Sequence, residues 1–221
     1  MINVALIIFE TILCFITMLI LYKKYKIDGI YVFAIFATII SSIMNLKTIS
    51  IMDVGVPLGF GITTTIILGA NLITQKNGPE EIKKYLLLVA ITGIITCCFL
   101  NLSGLMEASK YNYIANKSYD NTFTFNIRMY IALYLSLIVS TQLSSNLFYI
   151  IKRLKNKIIL SNIFSIIITE FFENIIFVLI AYLFDYTGID IVLCIVFRYT
   201  IKILIGIIGT IPLYIANRFN W

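Results

Sequence analysis

Residues 161–184 read SNIFSIIITEFFENIIFVLIAYLF, an apolar run interrupted by two carboxylates, Glu170 and Glu173. Coiled as a helix, a run of this length extends about 36 Å, more than the roughly 30 Å of hydrocarbon in a bilayer. Within lipid a segment must satisfy its own backbone hydrogen bonds, so the reading is a membrane-crossing helix. The spacing of three then puts both acids on one face of that helix.

The rest of the chain agrees. Its 221 residues are 60% hydrophobic and 13% charged, with a mean hydropathy of +0.98, against about 45–50% and about 25% in soluble domains. The stretches 54–75, 85–106 and 129–151 contain no charged residue. The predicted fold class is all-α: a polytopic membrane helical bundle forming a single transmembrane domain over residues 1–221. The N-terminal MINVALIIFETILCFITMLILY has no basic leader, no small-residue cleavage site and too long an apolar run for a secretion signal, so it reads as a first span.

Several functions are excluded by what is missing. There is no histidine, which removes His-based metal sites and the Ser–His and Cys–His nucleophile pairs. Cys14, Cys97, Cys98 and Cys194 lie in apolar runs without ligand spacing and read as small buried hydrophobes. No phosphate-binding GxxxxGK[ST] loop occurs. The expectation is a non-enzyme without cofactor or metal. The net charge of +6 reflects basic cytoplasmic loops, and no nucleic-acid partner is expected.

Seven spans are predicted, at about 2–22, 28–44, 51–73, 85–106, 128–151, 161–184 and 190–217. The last six make a six-helix core and the first is an N-terminal addition. With the N-terminus outside, the inner loops and C-terminus carry eleven Lys and Arg and the outer loops four; Arg198 and Lys202 fall within the last span. The excess lies on the inner side, as the positive-inside rule requires. This predicts a multi-pass protein with the N-terminus outside and the C-terminus inside. The outer loop 107–127, rich in Tyr and Asn, reads as a solvated cap rather than a lid. DVGVPLGFG at 53–61 and GIIGTIPLYI at 206–215 place Gly and Pro where spans are expected to be interrupted.

A charge at mid-bilayer costs at least about 2.5–3.5 kcal/mol and needs a partner or a wet cavity. Five ionisable residues fall within spans: Glu10, Glu170, Glu173, Arg198 and Lys202. Glu173 lies about 16 Å, and Lys202 about 18 Å, along their helices from the tight outer turn DYTGID at 185–190. Two helices joined by that turn are neighbours, so the two residues are predicted to meet near the midplane. Arg198 sits one turn shallower, within reach of Glu173 or Glu10, and Glu170 one turn deeper. Amides extend the pattern: Asn71 and Gln75 on the third span, Gln142 and Asn146 on the fifth. The alternative is an ion network that only fixes helix packing, but apolar packing usually does that as well. A polar seam shared by spans three, five, six and seven predicts a binding cavity.

Four stretches together resemble the queuosine precursor transporters of the vitamin uptake transporter group. They are NLKTISIMDVGVPLGFGITTTIILGANLITQKNGPEEIKK (45–84), STQLSSNLF (140–148), SNIFSIIITEFFENIIF (161–177) and KILIGIIGTIPLYI (202–215). The resemblance departs from the family where Asn71 and Gln75 replace an Asp and a Glu, where Asn77-Gly78 replaces Tyr-Gly, and where Glu170 and Glu173 replace a Gln and an Asp. It implies uptake of queuine or a related 7-deazaguanine, a purine-like small molecule, across the lipid bilayer. The candidate substrate-binding set is Asn71, Gln75, Gln142, Asn146, Glu170, Glu173, Arg198 and Lys202; Phe171, Phe172 and Tyr199 are near enough to stack on the base, but each reads more readily as lipid- or core-facing. A carboxylate can accept both the ring N–H and the exocyclic amine of a guanine-like edge. A homodimer, or service as the substrate-binding subunit of an energy-coupling-factor transporter with a separate ATPase, remain alternatives for its partners.

Overall fold

The computed structural model describes residues 2–51, 53–106, 119, 127–155 and 157–218. The loop read as a solvated cap lies outside the described residues, apart from Tyr119 and Ile127.

The chain opens with α1, Ile2–Met44, which is broken at Lys26 (φ 56°, ψ −135°). The two arms, 2–25 and 27–44, fold back on each other. Glu10, Cys14 and Thr17 of the first share a cleft with Phe33, Ala37 and Ile40 of the second. The close crossing depends on Gly29, where a Cβ would stand 2.2 Å from the Leu21 carbonyl oxygen. The arms match the first two predicted spans.

The third predicted span is the main correction to the expected fold. Residues 51 and 53–59 are not helical. Strands β1, Thr48–Ile51, and β2, Val54–Pro57, form an antiparallel hairpin pairing Thr48 with Pro57 and Ile51 with Val54. Its turn carries Asp53 in the left-handed region, φ 65°. β-branched residues favour this extended pairing, and Pro57 sits at a strand end where its missing donor does no harm. The strands are too short to cross a membrane, and the hairpin packs on one end of the bundle, where the Gly55 carbonyl accepts from the Tyr186 hydroxyl at 3.4 Å. This small sheet is the one departure from an all-α chain among the described residues.

Helix α2, Phe60–Asn77, follows, and every residue from Phe60 to Gln75 is buried. It is the central element, wrapped by its neighbours. That explains why it tolerates four threonines, an asparagine and a glutamine where a lipid-facing helix would not. Gly78, φ 86°, and Pro79 stop it. After a short 3₁₀ turn come α3, Ile82–Gly104, α4, Ile127–Lys155, and α5, Ile158–Tyr182. Thr187 caps the start of α6, Gly188–Ile208, its hydroxyl accepting from the Asp190 N–H. The last predicted span breaks at Gly209 into α6 and a short α7, Thr210–Arg218.

Among the described residues, five helical segments are long and apolar enough to cross a membrane: α1, 79–104, α4, α5, and α6 with α7. The fold is an all-α polytopic bundle, turned inside out relative to a soluble one. Large apolar side chains such as Phe9, Phe36, Phe99, Leu154 and Val196 face outward. Inside run Ser136, Ser140 and Ser144 of α4, one turn apart, against Ser161, Ser165 and Thr169 of α5. Such small residues let helix backbones approach closely, and α4–α5 is the most extensive helix pair in the bundle.

Gly29→Val is expected to destabilise the protein in detergent by at least about 1–3 kcal/mol, the cost of overpacking. Lys26→Gly, which relieves a left-handed backbone, should leave the unfolding midpoint unchanged or raise it. A Gly29→Val midpoint equal to wild type would contradict the tight hairpin.

Candidate functional site

Sequence spacing places Glu170, Glu173, Phe177 and, one residue on, Asn174 along the inner face of α5, with Arg198 and Lys202 one turn apart on α6. The tight 183–187 connection brings these faces together. Lys202 Nζ lies 2.5 Å from Glu173 Oε2 and 2.9 Å from Glu170 Oε2. Arg198 Nη2 contacts Glu173 at 3.4 Å, and its Nε donates to Asn174 Oδ1 at 2.9 Å. The level of the Glu173–Lys202 contact is as the helical rise predicted.

All four charged side chains are sealed, at 0–1% exposure. Two acids and two cations balance, and only that neutrality makes their desolvation tolerable. The fifth charge counted with them, Glu10, is elsewhere: half-buried, it lines a surface cleft with Lys47. Arg198 pairs with Glu173 and not with Glu10.

The two carboxylates are held unequally. Glu173 has Lys202, Arg198 and the Ser136 hydroxyl at 3.5 Å. Glu170 is ion-paired with Lys202 alone among the described residues, with Thr64 of α2 facing it. Its Oε1 is buried without a hydrogen-bond partner among the described residues, as is Arg198 Nη1. The guanidinium also lies over the Phe177 ring, 3.9 Å from its centroid, with Phe60 at 5.8 Å, a cation–π arrangement in a dry setting.

Below the ions a column of polar side chains continues through the bundle. Asn71 donates to Asn162 Oδ1 at 3.0 Å and accepts from Ser144 at 3.1 Å. Asn162 in turn donates to Thr210 at 2.9 Å. Thr74 meets Ser145 at 2.6 Å, and Gln75 donates to Asn217 at 2.7 Å. Asn71 and Gln75 therefore belong to the seam as expected from the sequence. Gln142 and Asn146 do not: they bond each other at 3.2 Å on an outer face of α4, Gln142 half-buried and Asn146 exposed. Position 142 lies about 200° around the helix from Ser140 and Ser144, at 100° per residue, so burying the serine stripe turns the amides out.

Phe171, Phe172 and Tyr199 form an edge-to-face cluster on the outside of α5 and α6, with Phe171 and Phe172 exposed. They cannot stack on anything at the ion cluster, where the aromatic neighbours are Phe177 and Phe60. Sequence reading also missed Asn162, Asn174 and the α4 serines. The i, i+4 spacing of Ser136, Ser140 and Ser144 was the available signal.

The sequence profile described as "Putative vitamin uptake transporter" matches residues 57–216. The chain belongs to this family. That stretch runs from the end of the hairpin into α7 and contains the whole ion cluster and the polar column except Asn217. A relative in Bacillus subtilis (strain 168), named "Probable queuosine precursor transporter", is 26% identical over 222 residues, covering 99% of this chain and 96% of the relative. No solved structure matches. The family member described here is a multi-pass membrane transporter with a charge-balanced polar centre.

Lys202→Met would leave two sealed carboxylates with Arg198 alone, and should cost about 3–5 kcal/mol in unfolding free energy, as for removing one partner of a buried ion pair. Glu170→Gln removes the more loosely held acid and should cost markedly less, as read by thermal unfolding in detergent. Equal losses would show that the contacts at Glu173 do not anchor α5 to α6.

Proposed function

We propose that this transporter imports a queuosine precursor, a 7-deazaguanine base, and that Glu170 accepts the base while Glu173 holds the helices. The observation that carries this reading is the pair of unpartnered buried atoms, Glu170 Oε1 and Arg198 Nη1, at the ion cluster. One is an acceptor and the other a donor. A guanine-like edge presents the complement: N–H groups for the carboxylate and a carbonyl for the guanidinium. Glu173, with three partners, has little left to offer a ligand.

The relative's name supports this substrate class, since the identity extends along nearly the full length of both chains. The sealed cluster corresponds to an occluded state, from which alternating access opens one side at a time. On the way in, the base exchanges hydrogen bonds with Asn71, Asn162, Ser144 and Thr210, whose amides and hydroxyls offer both donors and acceptors.

The basic segments share one end of the bundle. Tyr31, just past the first turn, donates to Glu81 at the start of α3, and Lys152 of α4 to the Gln75 carbonyl of α2. By the positive-inside rule this end is cytoplasmic, with the N-terminus outside, in the bacterial inner membrane. The outward face of the first arm carries Leu6, Phe9, Leu13, Ile16 and Ile20. Large side chains of this kind suit lipid, and support a self-contained transporter over a subunit docked on a coupling scaffold.

In cells that cannot make queuosine, expression should restore its appearance in tRNA when queuine or an earlier 7-deazaguanine is supplied. No restoration with any of these bases would sink the proposal. For purified protein, Glu170→Gln should weaken base binding about 10–100-fold, the worth of a charged hydrogen bond. Undiminished binding would move the ligand away from Glu170.

A further inference from the structure

A second polar site lies at the lysine-rich end, away from the ion cluster. The end of α2 and the last turns of α4 flank an open cavity of about 350 Å³ whose lining includes Gln75, Lys76, Tyr149, Lys152 and Arg153. Three of these residues are cations, and none of the three is ion-paired with a carboxylate among the described residues. The charge felt by Lys152 is that of Lys76, a like charge. Lys152 is also fixed in place, because its Nζ donates to the Gln75 carbonyl at 3.1 Å. Like charges gathered without an acid repel, and an anion between them relieves the repulsion.

The Gln75 side chain adds a requirement of a different kind. It is 8% exposed, its amide nitrogen donates to Asn217, and its Oε1 is buried with no hydrogen-bond partner among the described residues. A ligand matched to this cavity therefore has an anionic group for the three cations and, next to it, a donor from which Gln75 Oε1 accepts once that amide turns toward the cavity. A hydroxyl suits that donor position better than an ammonium, which three neighbouring cations would repel. Phosphate oxygens, charged and several in number, can meet several cations at once.

We propose that this cavity binds a hydroxylated phosphate ester of the glycerophosphate kind, carried on an anionic lipid headgroup or free in solution. Its position accommodates either source, since basic pockets at the ends of membrane helices face both headgroups and water. The cavity is also the foot of the polar column. Thr74–Ser145 and Gln75–Asn217 tie α2 to α4 and α7 there, so an occupant braces the helices around the column.

The test uses the full chain in phosphatidylcholine nanodiscs, with binding followed by native mass spectrometry and the thermal unfolding midpoint. The probes are phosphatidylglycerol, phosphatidylethanolamine, glycerol 3-phosphate and inorganic phosphate. Saturable binding of phosphatidylglycerol with a raised midpoint, and weaker binding of phosphatidylethanolamine, is expected if the source is the bilayer. Binding of glycerol 3-phosphate above inorganic phosphate is expected if it is the solution. Arg153→Gln and Lys76→Gln, neither of which breaks a described ion pair, should each weaken binding about fivefold. Gln75→Leu should abolish the preference for glycerol 3-phosphate over inorganic phosphate, which lacks the glycerol hydroxyls. Failure of both esters to bind, or equal affinity in the Arg153→Gln and Lys76→Gln variants, would overturn the proposal. No readout involves the transported base, so the result is independent of the substrate assignment.

Discussion

A single ammonium group, Lys202 Nζ, stands between two carboxylates that would otherwise repel each other in a medium without water. Glu170 and Glu173 are one turn apart on α5 and both fully buried, an arrangement that is prohibitive unless a cation lies between them. Lys202 contacts both, and Arg198 supplies the second positive charge that makes the cluster neutral. Each ion still carries several kcal/mol of desolvation cost. The surrounding structure offsets this by providing dipoles and ring faces: Ser136 and Asn174, Phe177 and Phe60. The α5–α6 turn, the burial of α2 and the serine face of α4 all bring groups to this point.

The cluster is asymmetric, and the asymmetry links structure to transport. Glu173 is gripped from α4 and α6, whereas Glu170 keeps one oxygen unpartnered. A site that both holds helices together and releases a ligand has conflicting demands on its charges, and two acids allow the demands to be divided. The polar column has the opposite character. Its amides and hydroxyls are neutral and nearly all paired with one another, so partners can be exchanged without exposing a charge to the dry interior.

The inside-out distribution follows from the solvent. Lipid offers no hydrophobic drive for helices to associate, so association depends on close backbone approach and interhelical hydrogen bonds. α2 shows the consequence most clearly. It is the least lipid-like of the long segments and is buried on all sides, and its Asn71, Thr74 and Gln75 bond to α5, α4 and α7 respectively. Three helices are thereby tied to one axis.

Membrane class, helix positions and the shared level of Glu173 and Lys202 were legible in the sequence, because run length and rise per residue are properties of one dimension. Asn71 and Gln75 were legible too, since α2 is buried all round and any polar residue on it faces protein. Rotation about a helix axis was not legible wherever polar residues occur on more than one side. On α4, serines and amides competed for the interior, and packing against α5 admitted the smaller serines and left Gln142 and Asn146 outside. On α5 the inner face took Asn162 and Asn174 and turned Phe171 and Phe172 to the surface. Glu10 was set aside for the same reason, its arm being oriented by the crossing at Gly29. The β-hairpin at 48–57 was hidden because a β-branched apolar run satisfies helix and strand alike until tertiary contacts choose. What only the tertiary structure decided is which polar groups meet, since that depends on the volumes that fit between helices and not on their order along the chain.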